Sequence, residues 1–385
     1  MIPYGRQSIN QLDMDAVLEV LQSDFLTQGP KVPAFERRVA DYTGSKFGIA
    51  VNSATSALHI ACLALGLKKG DLAWTTPNTF VASANCVLYC GADIDFVDVD
   101  ERTYNMCPDL LEQKLERAEK FGKLPNVVIP VHFAGQSCDM KRIWELSQRF
   151  GFKIIEDASH AIGGSYLNDK VGSCRYSDIT VFSFHPVKII TTAEGGVATT
   201  NDESLAERMA LFRSHGVTRD TKLMATAAEG EWYYEQIELG LNYRMTEIQG
   251  ALGLSQMGKL DSFIEKRHLH RKAYDELLSE LPVSTPFQSS YCYSSLHLYP
   301  IRLKLSNISK SRGEVFKYLR VNGVGVNVHY IPVHTQPYYQ KMGFEKGMFP
   351  NSERYYESAL SLPLYQDITE DDLQYVCKVL REGIV

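Results

Sequence analysis

The chain has 385 residues, 44% hydrophobic and 22% charged, the balance of a globular protein rather than a disordered one. That length carries an expectation of two to three domains and of a core that needs no disulfide or metal staple. Lys plus Arg is 40 and Asp plus Glu is 46, leaving a net charge of −6; this excludes a dedicated nucleic-acid binder but not an anionic small ligand in a locally positive pocket.

The opening MIPYGRQSINQ has no charged region followed by an apolar core, so no export signal is expected. The most apolar stretch, ALHIACLALGL at 57–67, is interrupted by His59 and is shorter than the ~20 residues that cross a bilayer. No membrane partner is expected. The eight cysteines include no CxxC pair and no zinc spacing. Hence no metal is expected, and reduced thiols in a cytoplasmic protein are the plain reading.

Met14, Val17, Leu18 and Leu21 recur at helical spacing and predict a first helix. Val32, Phe35, Val39 and Tyr42 predict a second, and SDFLTQGPK between them reads as a loop broken at Gly29-Pro30. From residue 47 short apolar runs alternate with helical patterns: 47–51, 72–76, 94–99, 126–133 and 152–157. Strands spaced by helices predict an α/β fold with a mainly parallel sheet covered on both faces. ITVFSF at 179–184 and GVATT at 196–200 are joined closely enough for a local antiparallel pair. Beyond about residue 245 the rhythm changes to one long helical stretch, a polar loop near 286–295, a strand in LHLYPIRLKL and a final helix over about 369–382. The organisation expected is a large domain over 1–245, then a long linking helix and a smaller α+β C-terminal domain over 246–385.

Ligands of open parallel sheets sit at the carboxyl ends of the strands. In IIEDASHAIGG, Asp157 closes an apolar strand, where a carboxylate is costly unless something positive meets it. A protonated pyridine nitrogen, as in pyridoxal 5′-phosphate (PLP), would do so and make the ring an electron sink. The ordinary alternative is helix capping by Asp157 or Ser159. Lys188 follows a buried strand among Val187, Ile189 and Ile190, surroundings that suit a Schiff-base amine with a lowered pKa. Ser183, five residues earlier, offers a hydroxyl to a phosphate. NSATSAL opens a helix after a strand. Its free N–H groups around Ala54 and Thr55 can bind phosphate, or Ser53 or Thr55 can simply cap. Phe80 could stack on a cofactor ring or pack in the core, and His160 could meet a ring hydroxyl or be an ordinary core histidine. Neither GxxxxGK[ST] nor GxGxxG after a strand is present, which weakens ATP and NAD readings. A phosphate-type helix start, an aromatic, an aspartate and a lysine, all at strand ends of one sheet, favour PLP chemistry.

Four motifs, NSATSAL, EDASHAIGG, FSFHPVK with AEGG, and LGLNYRMTEIQGALGLSQ, resemble those of the nucleotide-sugar aminotransferases of PLP fold type I, the DegT/StrS group. The similarity runs over essentially the whole chain. IPYGRQSIN, SDFLTQGPK, RSHGVTRD and VNVHYIPVHTQPYY are similar to the subgroup of pseudaminic acid synthesis. Relatives acting at the sugar 3-position usually carry tyrosine near the lysine and a GDGG turn, where this chain has His185 and AEGG. Dehydratases of the fold have histidine in place of the lysine, so Lys188 favours amino transfer. The family usually has glycine where this chain has Ala54, and the subgroup tolerates alanine.

The resemblance implies a role for each residue. Lys188 would bond the cofactor aldehyde and shuttle the proton, and Asp157 would pair with the pyridine nitrogen. Thr55, the Ala54–Thr55 backbone and Ser183 would hold the phosphate, with Phe80 and His160 in the cofactor site. Asn242 would reach the phosphate of the neighbouring subunit, implying a homodimer with shared active sites. Tyr4, Asp24, Phe25, Leu26, Thr27, His185, His329 and Tyr330 fall in stretches that match the subgroup or flank the lysine and would line the sugar-nucleotide site. Arg244 and Arg219 are candidates for the donor carboxylate or the diphosphate. The implied reaction passes the amino group of L-glutamate, released as 2-oxoglutarate, to the C4 keto group of a UDP-linked 6-deoxy-N-acetylhexose. The alternatives are C4 amination of another UDP- or dTDP-sugar, a non-catalytic PLP or nucleotide-sugar binder, and an NAD-dependent sugar oxidoreductase.

Overall fold

The alternating runs build one seven-stranded sheet. A computed structural model describes residues 1–384. Its strands are β1 (Phe47–Val51), β2 (Leu72–Thr75), β3 (Asp93–Phe96), β4 (Val127–Ile129), β5 (Lys153–Asp157), β6 (Ile179–Ser183) and β7 (Gly196–Thr200), in the spatial order β1-β7-β6-β5-β4-β2-β3. Neighbouring pairs among β2 to β6 are parallel. β7 runs antiparallel to both β6 and β1. The close connection therefore does give an antiparallel pair, and β1 completes it from the far end of the sequence. The carboxyl ends of β1 to β6 share one edge of the sheet, and β7 starts there, with Gly196 between Ser183 and Val51.

Helices cover both faces, as a buried parallel sheet requires. They are α1 (Gln11–Leu21), α2 (Lys31–Thr43), α3 (Ala54–Ala64), α4 (Ala82–Tyr89), α5 (Pro108–Lys120), α6 (Met140–Phe150), α7 (Glu203–Arg213), α8 (Glu247–Met257) and α9 (Leu260–Leu277). α3, α4 and α7 enclose Ile49, Ile60, Phe96, Ile155 and Val181. On the other face α2, α8 and α9 enclose Phe35, Phe182, Phe184 and Ile264, while α5 and α6 enclose Leu111, Ile143 and Ile154. Each such side chain contributes about 1.5–3 kcal/mol of burial.

The two N-terminal helices use their apolar stripes differently. α2 buries Val32, Phe35 and Val39 as its periodicity predicts. α1 buries Asp13 and Val20 instead, leaving Met14, Leu18 and Leu21 exposed. Asp13 is held by Ser255, Gln256 and Lys259, so polar anchoring to α8 and its C-terminal end sets that helix's orientation. The long helix predicted after residue 245 is two helices: at Gly258 and Lys259 the backbone bonds tighten to three-residue spacing, Gly258 N to Ser255 O and Lys259 N to Gln256 O, and the chain turns. Beyond α9, β8 (Val283–Ser284), β9 (Tyr299–Leu303) and β10 (Ala359–Leu362) form an antiparallel sheet in chain order. It packs on α10 (Arg312–Val321) and α11 (Glu370–Ile384) around Tyr274, Leu319, Leu360 and Val376. The buried Arg267 of α9 donates to the carbonyls of Leu296, His297 and Leu364, tying this region to the large sheet's helices. No helix among the described residues is long and apolar enough to cross a membrane.

Candidate active site

A cleft of about 930 Å³ opens at the shared strand edge, lined by residues from the turn after β1, α3, β5, β6 and the 327–330 segment. Its first wall is the start of α3. Ser53 is the cap: its hydroxyl accepts from Ser56 N at 3.1 Å. Ala57 N is bonded to Ser53 O, and the N–H groups of Ala54 and Thr55 have no acceptor among the described residues. A helix N-terminus with open N–H groups attracts an anion. The backbone of β7 seals this wall from beneath: a Cβ on Gly196 would lie 2.6 Å from Ala54 N. Only glycine permits that approach. Ser183, opposite Gly196 at the end of β6, lines the same cavity with a hydroxyl that has no protein partner.

Asp157 ends β5 and is 4% exposed. One oxygen accepts from Ser83 Oγ at 2.6 Å and the other from Ser159 N at 3.1 Å. Ser83 in turn contacts Thr79 Oγ1 at 2.7 Å. No cation among the described residues pairs with this carboxylate, although it faces Lys188 closely enough to act on its titration. No helix follows it, so Asp157 tightens a turn through Ser159 and caps nothing longer.

Lys188 lies on the loop between β6 and β7, its N–H bonded to His185 O at 2.8 Å. Its amine has no hydrogen-bond or ion-pair partner among the described residues. Burial pushes its pKa down to about 8, against the opposing pull of Asp157. About a tenth of such amines are neutral at pH 7, against a few in ten thousand for an ordinary lysine.

Aromatic and imidazole groups close the other side. Phe80 is 58% exposed at the rim, which rules out a core role. His160 Nδ1 accepts from Ala134 N at 3.2 Å, and its Nε2 meets Tyr330 Oη at 3.0 Å. His297 packs against His160 with ring centroids 4.4 Å apart. His329 bonds Ser361 Oγ at 2.8 Å and packs on Tyr4. Burial holds His160 and His297 well below the ordinary imidazole value and brings His329 down to about 3, so these rings are neutral at pH 7.

Against this geometry, residues 7–381 match the DegT/DnrJ/EryC1/StrS aminotransferase family. The chain belongs to that family. It is similar to the spore coat polysaccharide biosynthesis protein SpsC of Bacillus subtilis, 37% identical over 99% of this chain and 96% of that one. It is equally similar, at 37% over 98% and 96%, to the UDP-4-amino-4,6-dideoxy-N-acetyl-beta-L-altrosamine transaminase of Campylobacter jejuni. Among solved structures, Helicobacter pylori PseC, an aminotransferase of pseudoaminic acid biosynthesis, superposes with a TM-score of 0.90 at 31% identity, covering 100% of this chain and 99% of that one. The PLP form of Spr1654 from Streptococcus pneumoniae, described as a sugar aminotransferase, superposes at 0.88 with 27% identity over all of both chains. The fold is that of PLP fold type I, and the protein is a PLP-dependent sugar aminotransferase.

The residues of this aminotransferase fit that cofactor. The cleft presents an unpaired amine, a buried carboxylate without a cation, and an anion-seeking helix start, the three groups a pyridinium, an aldehyde and a phosphate require. The cleft gathers Tyr4, Ala54, Thr55, Phe80, Asp157, His160, Ser183, His185, Lys188, His329 and Tyr330. It does not include Asp24, Phe25, Leu26, Thr27, Arg219, Asn242 or Arg244 of the same chain. Residues 24–27 and Asn242 are exposed; the former lie against the start of α8, where Thr27 bridges Thr246 and Leu26 O accepts from Glu247 N, and Asn242 bridges Ser214. Arg244 is held by Ser214 Oγ at 3.3 Å, and Arg219 is exposed. Ser83, Thr79 and His297 were not singled out from the sequence. The first two stand four residues apart in TTPNTFVASAN, a helical spacing that signalled one face; nothing local signals His297.

Proposed function

We propose that this aminotransferase moves the amino group of L-glutamate to the C4 keto group of a UDP-linked 6-deoxy-4-keto-N-acetylhexose, giving UDP-4-amino-4,6-dideoxy-N-acetyl-β-L-altrosamine for pseudaminic acid synthesis. The observation that carries the reaction class is the unpaired amine of Lys188 sharing a cleft with the buried, cation-free Asp157. The sugar assignment is supported by the names of the Campylobacter and Helicobacter relatives. The same identity to SpsC, a spore-coat polysaccharide protein, favours a second reading: C4 amination of a different UDP- or dTDP-sugar. Under either reading we take the working unit to be a homodimer in the cytoplasm, with the domain division at 245/246.

When bound, the cofactor supplies an aldehyde for the amine and a ring that accepts an electron pair. The chain's own residues do the rest. Asp157, fixed by Ser83 and the Ser159 N–H, keeps the ring nitrogen protonated. The Ala54 and Thr55 N–H groups, Thr55 and Ser183 hold the phosphate. Lys188 would hold the cofactor through its amine, and with its lowered pKa that amine would also accept the proton lost from the donor α-carbon. Toward the keto sugar the same residue would act in the opposite sense, giving a proton to C4. Asn242 from the partner would add a phosphate contact. Tyr4, His185 and His329 would meet the sugar nucleotide, with Asp24, Phe25, Leu26 and Thr27 brought in at the dimer contact, and Arg244 or Arg219 would take a carboxylate or diphosphate.

The test offers purified protein L-glutamate and a panel of UDP- and dTDP-4-keto-6-deoxy sugars, identifying each amino sugar by mass and NMR. The UDP-N-acetyl substrate is expected to turn over fastest. A dTDP sugar outpacing every UDP sugar would reject the pseudaminic assignment and leave the reaction class standing. Failure of glutamate to convert the bound cofactor to its amine form would reject amino transfer by this chain.

A further inference from the structure

The sequence gives His160 to the ring hydroxyl of the cofactor, but both of its nitrogens are already engaged. Ala134 N–H can only donate, so Nδ1 of His160 is an acceptor. Burial keeps the ring neutral, which leaves the single proton on Nε2. That nitrogen is 3.0 Å from Tyr330 Oη and therefore donates to it. The two rings lie nearly parallel, 23° apart. Tyr330 is also anchored at its backbone, where N donates to Asn78 Oδ1 at 3.3 Å. Its rim neighbours are Phe80 and Phe133. With one lone pair of Oη taken by His160, the Tyr330 hydroxyl proton has no acceptor among the described residues. It lines the cleft, within electrostatic reach of Asp157. A partly buried O–H donor left without a partner implies an acceptor in the ligand.

We propose that Tyr330, held by the His160–Ala134 chain, is the donor to the cofactor's ring oxygen, and that His160 is a positioning residue that acts through it. The ring oxygen of pyridoxal phosphate is on the ring position next to the one bearing the aldehyde, so it would compete for the proton on the nitrogen that Lys188 contributes. A hydroxyl bound to the oxygen draws its electron pair away, and the nitrogen gives up its proton at lower pH. The inference rests on the reading of Lys188 and Asp157 given above.

The experiment uses the full chain loaded with PLP and no substrate, and follows the cofactor's visible band against pH. Borohydride reduction of the wild type first locates the cofactor on Lys188; its absence there would fail the cofactor reading rather than this inference. With that in place, Tyr330→Phe is expected to raise the midpoint of the titration by about one to two pH units, the equivalent of one hydrogen bond to a charged oxygen. His160→Gln, which keeps a donor toward Oη, is expected to shift it less than Tyr330→Phe. His160→Phe placed on top of Tyr330→Phe is expected to add no shift, because its effect is spent through the tyrosine. An unchanged midpoint in Tyr330→Phe overturns the proposal, whether His160→Phe alone moves it (a direct histidine contact) or only the sugar KM rises (a substrate contact). Should His160→Phe not fold, Tyr330→Phe with full cofactor stoichiometry decides alone.

Discussion

The two ends of the active cleft are built differently. The cofactor end takes each of its groups from a strand terminus or the helix that follows: Asp157 from β5, Ser183 and Lys188 from β6 and its loop, Ala54 and Thr55 from the start of α3. Asp157 and Ser183 are buried, Ala54, Thr55 and Lys188 half-buried, and the carboxylate is braced within one chain by the Ser83–Asp157 bond of 2.6 Å. The residues assigned to the sugar end are scattered over 4, 24–27, 185, 219, 244 and 329. Residues 24–27 and Arg219 are exposed and lie outside the cleft of their own chain. On the proposed function, reaction class resides in a braced sheet edge, and sugar choice would reside in segments that a second subunit would have to complete.

Substitutions can break that contrast, and their expected effects fall off from the first end to the second. Lys188→Ala should cost at least about 10⁴-fold in turnover, read in both half-reactions; substantial remaining activity would mean that another group moves the proton. Asp157→Asn should lose about 10²–10³-fold in kcat by removing the charge that holds the pyridinium, with the cofactor still bound. Ser83→Ala leaves the carboxylate one donor short, a loss of about 1.5–3 kcal/mol in the interactions of that charge, and should appear as about ten- to a hundredfold weaker cofactor retention or turnover. Phe25→Ala should be the mildest, raising the sugar KM by about tenfold or less with the cofactor spectrum and the glutamate half-reaction unchanged. Equal damage to both half-reactions by Phe25→Ala would erase the distinction between the ends.

The lysine offers a pH test of the same contrast. Its folded pKa of about 8 lies below the ordinary 10.5, so the nucleophilic neutral amine gains with rising pH and is nearly complete above about pH 9. Association of PLP with the cofactor-free enzyme, measured by stopped flow, should therefore accelerate from pH 7 to 9 and level off. A profile still rising steeply at pH 10 would mean that the amine is not desolvated.

Sequence patterns carried the sheet, its covering helices and the strand-end groups that the cleft gathers, because each depends on local chemistry: a short β-rich run, a turn, one polar residue at its end. Where several segments decide together, the pattern was silent or misleading. The apolar stripe of α1 predicted a buried face, but Asp13 bonded to residues 255, 256 and 259 turns the helix the other way. The helix after residue 245 read as continuous because its periodicity passes through Gly258, and only the tightened backbone bonds divide it. His160 was legible as a cofactor neighbour, but its engagement with Tyr330, 170 positions away, belongs to tertiary structure. So does Arg267, a buried guanidinium with carbonyl partners drawn from two distant loops.

The side-chain-free contact between Gly196 and Ala54 has an effect on inheritance. Because the reversed strand rests directly on the phosphate-binding turn, the lysine loop just before it cannot drift in length or height without dragging that turn along. The distance between the covalent anchor and the ionic one is thereby set like the jaws of a fixed-gauge tool. The exposed segment 24–27 stands outside that gauge, so its shape can change without moving either anchor.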